Sequence, residues 1–408
     1  MPQDKREILF IAHRVPYPPD RGDKIRSWHE FRYLSERAHV HLAALADDPR
    51  DLEHDAVLDQ VAASHCVVER GSTDLWRVAN GFLRHEPLSV ALFRKRKLAA
   101  YIRDVVANRP LSAVFVYSGQ MAGYVPALGP SVRFVMDFCD VDSAKFAAYG
   151  REGRGPMAMV YRRESALLAS LEVEVARRAS ASLFVSEAEA TLFRSLPGAG
   201  SIATTVVENG VDVRHYDPDE HYPFPAQLAG RDGPKIVFTG QMDYRPNVEA
   251  VVDFATNSFP AIRARHADAW FIIVGRNPND AVRALAGQPG VLITGEVPDV
   301  RPYLTAADVV VAPLRIARGI QNKVLEAMAM AKPVVASAQA AEGIDAESGR
   351  DLLVASSPAA EAGLVLDMLG HSDRAAAIGL AARRRVVERY GWDATLASLD
   401  QLVLGDAA

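Results

Sequence analysis

Lys323 and Glu326 stand three residues apart at the start of a helical pattern, a spacing that lets both side chains face one side of a helix. They belong to residues 317–336, Ala-Arg-Gly-Ile-Gln-Asn-Lys-Val-Leu-Glu-Ala-Met-Ala-Met-Ala-Lys-Pro-Val-Val-Ala. A glycine turn leads into a helix there, and Pro333 then opens an apolar run that reads as a strand. Arg318 falls in the turn, and Lys323 in or just before the first helical turn. The helix macrodipole already puts about half a positive charge at that end. Cations fit there when an anion is bound, because exposed helix N–H groups and basic side chains together hold phosphate. A carboxylate beside a phosphate accepts hydrogen bonds from sugar hydroxyls. The pair therefore suggests a nucleotide-sugar site; the plainer alternative is a solvated Lys323 and a water-facing Glu326.

Other strand-to-helix turns carry similar chemistry. In Phe238-Thr-Gly-Gln-Met-Asp-Tyr-Arg-Pro-Asn247, Gly240 allows close backbone approach to a ligand, Pro246 suits a first helical turn, and Arg245 could reach a diphosphate. Val274-Gly-Arg-Asn-Pro278 supplies Gly275 and Arg276, for which a simple surface charge is the competing reading. Near the start, His13-Arg-Val-Pro-Tyr-Pro-Pro-Asp-Arg-Gly-Asp-Lys-Ile-Arg26 places Gly22 before a helix whose first turn holds Lys24 and Arg26. These cations would meet donor phosphates or an anionic acceptor, unless the loop is only a rigid, solvated surface. Asp137-Phe-Cys-Asp-Val-Asp-Ser143 sets three aspartates at a strand end. They could act as a base or a metal clamp, but helix capping by Asp140 or Asp142 is favoured for at least one.

These segments need elements to position them, and the pattern is alternating. Strands are expected at Ile8–Ala12, Val40–Leu45, Cys66–Val68, Ala113–Tyr117, Val132–Met136 and Ser182–Val185, with helices such as Ile25–Arg37, Arg94–Ala107 and Ala158–Arg178 between them. Residues 216–234, rich in Pro, Asp and Gly, read as a linker. A second series follows at Lys235–Thr239, Trp270–Val274, Val291–Thr294, Val309–Ala312, Val334–Ala336 and Leu352–Val354, and Ser372–Leu404 looks helical with a break near Gly391. The fold class is thus α/β, with two doubly wound domains. Their strand ends would face each other across a cleft, a favoured place for ligands.

The 408 residues suffice for two cores, and an apolar fraction of 49% suits a globular protein. A net charge of −5 argues against a dedicated nucleic-acid binder. Cys66 and Cys139 lack metal spacing and suggest a reducing compartment. With no signal-like or membrane-spanning run, a cytoplasmic protein is expected. Arg94-Lys-Arg-Lys97 opens an amphipathic stretch with Leu98, Ile102, Val105 and Val106. It could lie on an anionic membrane, although such runs are more often solvated helix faces. The absence of a Gly-x-Gly-x-x-Gly turn after any strand disfavours a nicotinamide dehydrogenase.

With these loops in view, the chain resembles glycosyltransferase family 4, of GT-B fold. The resemblance rests on the Pro-Pro-Asp-Arg-Gly-Asp-Lys loop, Val185-Ser-Glu187, Glu208-Asn-Gly-Val-Asp212, Phe238-Thr-Gly240 and Lys323-Val-Leu-Glu-Ala-Met-Ala329. Within that family it looks most like sugar transferases of bacterial exopolysaccharide and exosortase (PEP-CTERM) gene clusters. The resemblance implies an acceptor-binding domain at 1–215, completed by a final helix at 391–408, and a donor-binding domain at 235–390. It implies transfer from a UDP- or GDP-linked sugar to a glycan or lipid-linked acceptor, with retained configuration and peripheral contact with the inner membrane. No metal or other cofactor is expected. Glu326 would bind ribose hydroxyls, within a donor set of Arg318, Gly319, Gln321, Asn322, Gly240, Gln241, Gly275 and Arg276. The acceptor set is Arg21, Gly22, Asp23, Lys24 and Asp137. Lys323 and Arg245 would stabilise charge on the departing diphosphate, and Asp140 would serve as base if the reaction inverts. Two departures stand out. Arg318 occupies the position of a second, sugar-contacting Glu, and Cys139 that of a His. An epimerase of the same architecture, or a catalytically degenerate nucleotide-binding partner, is the alternative.

Overall fold

The computed structural model describes residues 6–19, 22–71, 85–152, 155–317 and 320–405. The chain forms two compact units, one of residues 1–209 with 395–408 and the other of residues 210–394. The division falls before the stretch expected to be a linker. Residues 216–234 instead pack into the second unit, where Leu228 is buried in the core and Tyr216 and Tyr222 lie against it.

The first unit is built on a seven-stranded sheet in the order β3-β2-β1-β4-β5-β6-β7. Its strands are β1 (Glu7–Ala12), β2 (His39–Ala46), β3 (Ser64–Glu69), β4 (Leu111–Tyr117), β5 (Arg133–Cys139), β6 (Ala181–Phe184) and β7 (Thr205–Val206). Every pairing is parallel. The second unit carries six strands in the order β10-β9-β8-β11-β12-β13, also parallel. These are β8 (Lys235–Thr239), β9 (Trp270–Val274), β10 (Val291–Gly295), β11 (Val309–Ala312), β12 (Val334–Ser337) and β13 (Leu353–Ala355). Central runs such as Phe-Ile-Ile-Val in β9 and Val-Val-Val-Ala in β11 are apolar at every position because helices cover both sheet faces. Each unit has its own apolar core.

Strand order reverses between β1 and β4 in the first unit and between β8 and β11 in the second. At such a switch point the chain leaves neighbouring strands toward opposite faces, which opens a crevice at their carboxyl ends.

The chain's last described residues complete the first unit. Leu396, Leu399 and Val403 are buried, and Arg133 donates to the Gln401 carbonyl (2.8 Å).

Candidate functional site

At the switch point of the second unit lies a pocket of about 520 Å³. The first wall comes from the end of β8 and the loop after it. Gly240 lines the pocket, and an added Cβ there would fall 2.8 Å from the Asn247 side-chain nitrogen and 3.2 Å from the Lys323 amine. The turn after β9 packs against this loop. A Cβ on Gly275 would come within 1.6 Å of the Gly240 carbonyl oxygen, so only glycine fits there. Backbone bonds join the strand ends, from Gly240 N–H to the Val274 carbonyl (3.0 Å) and from Gly275 N–H to the Gly295 carbonyl (3.2 Å).

The helix Asn322–Ala329 supplies the opposite wall, with Val324, Leu325, Ala327, Met328 and Ala329 buried in the core. That anchoring turns Lys323 and Glu326 toward the pocket, which both line. Lys323 Nζ donates to Asn247 Oδ1 and sits 4.6 Å from the centre of the Phe238 ring. Burial pulls its pKa down to about 8, against the opposing pull of Glu326. Burial likewise pushes the Glu326 carboxyl up, while a hydrogen bond from Tyr216 and the nearby Lys323 favour its ionised form. Arg383 fixes Tyr216 by donating to its carbonyl (2.7 Å) and to the Ala329 carbonyl (2.6 Å). The Thr239 hydroxyl is buried at the pocket wall with no hydrogen-bond partner among the described residues. A cation, a row of glycine-lined backbone and a tethered carboxylate thus share one crevice.

Most of the expected donor residues meet here. Gly240, Gln241, Gly275, Arg276, Gln321, Lys323 and Glu326 all line the pocket. Asn322 begins the helix but is exposed. Arg318 and Gly319 lie outside the described residues. Arg245 is a correction: its side chain is 81% exposed and pairs with Glu249 (2.7 Å), one helical turn on along its own helix. A residue at the first turn of that helix points along the surface because its i,i+4 carboxylate offers a nearer partner than the pocket does.

The pocket also holds Tyr216, Asn247, Glu296, Val297 and Val300, which the sequence did not single out. Tyr216 lay inside the supposed linker. Glu296 had a readable signal, since it follows Gly295 at a strand end, as the pocket residues after β8 and β9 also follow glycines.

In the first unit the charged residues of the expected acceptor set are largely committed to neighbouring side chains of the same unit. Lys24 is buried and donates to Asp51 (2.7 Å). Arg26, 1% exposed, is held by Asp137 (2.8 Å), Glu30 (3.1 Å) and the Val207 carbonyl (2.7 Å). The anions that offset the dipole at this helix are therefore the protein's own carboxylates. Asp137 is fully buried and also accepts from Cys139 N–H (2.8 Å), so it is a structural counter-ion and not an acceptor ligand. Burial drives Glu30 toward its neutral form, with the Asp137 charge adding to the push. Burial likewise raises the Cys139 thiol, again with help from Asp137. Asp23 is engaged by Arg14 and by His13 (3.3 Å), which hold its carboxyl low despite partial burial. Gly22 opens the helix Gly22–Ser35 and is exposed, whereas Arg21 lies outside the described residues. Asp140 lies at the surface beyond the end of β5, and incomplete hydration raises its pKa, against the pull of Lys145 and with help from Asp137.

The capping expectation also changes. The first N–H groups of the helix Asp142–Glu152 are met by glutamates from other helices. Glu189 accepts from Val141 (2.8 Å), and Glu172 accepts from the backbone and hydroxyl of Ser143 (3.0 and 2.5 Å). Burial pushes Glu172 up to about 7.

Two parallel-sheet, Rossmann-like domains, the second with a ligand pocket at its switch point, have the GT-B architecture. The comparisons agree with that assignment. Residues 233–371 match a family described as Glycosyl transferases group 1. The chain is 28% identical over 245 residues to a GDP-mannose-dependent alpha-(1-6)-phosphatidylinositol monomannoside mannosyltransferase of Mycobacterium tuberculosis, covering 55% of this chain and 62% of that protein. It therefore spans less than two thirds of that relative's length. Among solved structures it is similar to sucrose-phosphate synthase from Thermosynechococcus elongatus, with TM-score 0.60, 18% identity and 98% of both chains covered. It is also similar to HepE of Anabaena in complex with UDP, with TM-score 0.60, 16% identity, and 98% and 100% covered. At such identities these two structures speak to the fold alone.

Proposed function

We propose that the protein is a glycosyltransferase that binds a nucleoside-diphosphate sugar in the pocket of its second unit and transfers the sugar to an acceptor hydroxyl. The observation that carries this reading is the pairing of Lys323 and Glu326 on one helix end, opposite the glycine turns after β8 and β9. Glycine there lets backbone N–H groups approach phosphate oxygens as well as the lysine does. Breaking the bond from sugar to diphosphate develops negative charge on the leaving group, and a fixed cation in a partly buried crevice stabilises it. Glu326, oriented by Tyr216, accepts from ribose hydroxyls, and Val297 and Val300 offer an apolar wall to a base.

Transfer with retained configuration fits this set, because the departing phosphate can itself take the acceptor proton. An inverting reaction would instead draw on a carboxylate such as Asp140. The acceptor is assigned as a glycan or lipid-linked saccharide of exopolysaccharide synthesis, with the enzyme at the cytoplasmic membrane surface. The mycobacterial relative is named for GDP-mannose and HepE was crystallised with UDP, so GDP and UDP are the first ligands to try.

The test is a thermal-shift screen against UDP, GDP, ADP and CMP on the wild type and on Lys323→Ala, Glu326→Ala and Arg245→Ala. A ligand at about a hundred times its dissociation constant stabilises the fold by about 2.7 kcal/mol, enough to read as a clear rise in melting temperature. One nucleotide should give that rise, and it should vanish in the first two variants and persist in the third. A folded protein that responds to none of the four, or a shift that survives at Lys323→Ala, would refute the reading. For a hit, the corresponding donor sugars follow, with the anomeric configuration of the product read by NMR.

A further inference from the structure

The basic amphipathic helix Arg96–Asn108 buries Leu98, Ile102 and Val105 in the first unit's core, so its apolar face is closed to a membrane. The pocket of the second unit holds a contact that reaches further. Its fixed cation, Lys323, stands on one wall, and the side chain that holds it stands on the other. That side chain is Asn247, 5% exposed, in the helix Arg245–Asp253 after β8.

The orientation of the amide is determined by its other partner. Asn247 Nδ2 donates to the Gln241 carbonyl (2.9 Å), and the Asn247 backbone N–H donates to the Tyr244 carbonyl (2.9 Å). A carbonyl only accepts, so the NH₂ end must face Gln241 and Oδ1 must face Lys323 Nζ. The ammonium has three N–H donors, and the amide takes one of them. Glu326, about one turn along the helix, acts on Lys323 through charge alone, without a hydrogen bond. The neighbouring turn leaves room for the pair, since a Cβ on Gly240 would fall 2.8 Å from Asn247 Nδ2 and 3.2 Å from Lys323 Nζ.

A neutral acceptor suits this place better than the alternatives. A carboxylate of the same size would cancel the charge that a phosphate oxygen needs. An aliphatic group would leave the ammonium to swing on its flexible four-carbon stem. The amide fixes the position and leaves the charge. We infer that Asn247 is a positioning residue of the donor site, a neutral tether that aims the Lys323 ammonium at the diphosphate. The inference rests on the donor-site reading, because Lys323 meets a diphosphate only if a nucleotide sugar binds here.

The test compares Asn247→Asp and Asn247→Leu with the wild type, each confirmed folded by its melting temperature. Lys323 is titrated in the free protein by NMR of 13C-labelled lysine, its signal identified by its loss in Lys323→Ala. The wild-type midpoint should lie near 8. Asn247→Asp should raise it by at least about one pH unit, because an opposite charge favours the ammonium, and Asn247→Leu should lower it, because an acceptor is lost. GDP and UDP are then titrated by calorimetry at pH 7, and whichever binds the wild type should bind each variant at least about tenfold more weakly. A merely structural Asn247 would change melting temperatures and leave the midpoint where it was. An unmoved midpoint in both variants would overturn the inference, as would undiminished nucleotide affinity in Asn247→Asp. Should Asn247→Leu fail to fold, the isosteric Asn247→Asp decides alone. Midpoints that move as expected in a protein that binds no nucleotide would refute the donor-site reading, and the positioning role with it.

Discussion

At the scale of single residues, the pocket turns on an amine that water no longer fully supports. With its pKa near 8, Lys323 gives up its proton more readily than a lysine in water. An arriving diphosphate stabilises the charged form and raises that pKa again. Nucleotide binding slightly above pH 8 should therefore take up a proton. Calorimetry in buffers of different ionisation enthalpy should return heats that differ by that uptake, and Lys323→Ala should abolish the difference. Affinity should fall by up to about tenfold per pH unit above 8, because the free site has then lost its charge. Lys323 and Glu326 were legible in the sequence because the chemistry lies within four consecutive residues, about one helical turn. Tyr216 was not, because its relation to Glu326 is made by Arg383, a residue 167 positions away along the chain. The misplacement of Arg245 has the same origin. Its type and position suit a diphosphate, but nothing local announces that Glu249 would claim it.

At the scale of elements, strands were easiest to read where helices bury both faces. The extents of β8, β9 and β11 match the apolar runs residue for residue, and the two-residue β7 carries no such signature. Helix starts were harder to read. The helix Asp142–Glu152 shows aspartates where a cap is expected, yet a glutamate of the long neighbouring helix accepts its N–H. That substitution has a pH consequence. The Glu172 carboxyl titrates near 7 in the fold and near 4.5 when free, so the folded state favours its neutral form. Stability from this group is full below about pH 4.5 and is lost as pH rises through 7. Glu172→Gln keeps an acceptor and cannot ionise. Its melting temperature relative to wild type should improve steadily from pH 5 to pH 8, as scanning calorimetry would record. A difference independent of pH would mean that Glu172 ionises freely. The buried Arg26–Asp137–Glu30 cluster teaches the same lesson from the other side. Cations at a helix start look like an invitation to an external anion until the unit's own carboxylates, Asp51, Glu30 and Asp137, are seen beside them.

At the scale of the whole molecule, two sheets of one kind carry unequal burdens. The switch point of the second unit is a lined pocket, whereas the equivalent loops of the first are tied to one another through His13, Arg14, Asp23 and Asp47. The two-domain division was readable from the alternation of elements. Its boundary was not, because Pro and Gly content marks a turn-rich stretch without saying which core will claim it. The first unit is also discontinuous in the chain, and removing residues 395–408 should uncover the surface that Leu396, Leu399 and Val403 fill. Loss of three fully buried aliphatic side chains costs about 2 kcal/mol or more each by mutational precedent. Limited proteolysis should then cleave the first unit's sheet region while leaving 210–394 resistant.

That discontinuity sets an order of events during synthesis. The ribosome releases the seven-stranded sheet early, but the segment that seals its core emerges only after all of the second unit. Vectorial folding, in which the first domain finishes before the next appears, is closed to this chain. A polypeptide cut short anywhere before residue 395 carries an unsealed sheet, so a break in the message is exposed as apolar surface that chaperones and proteases can recognise.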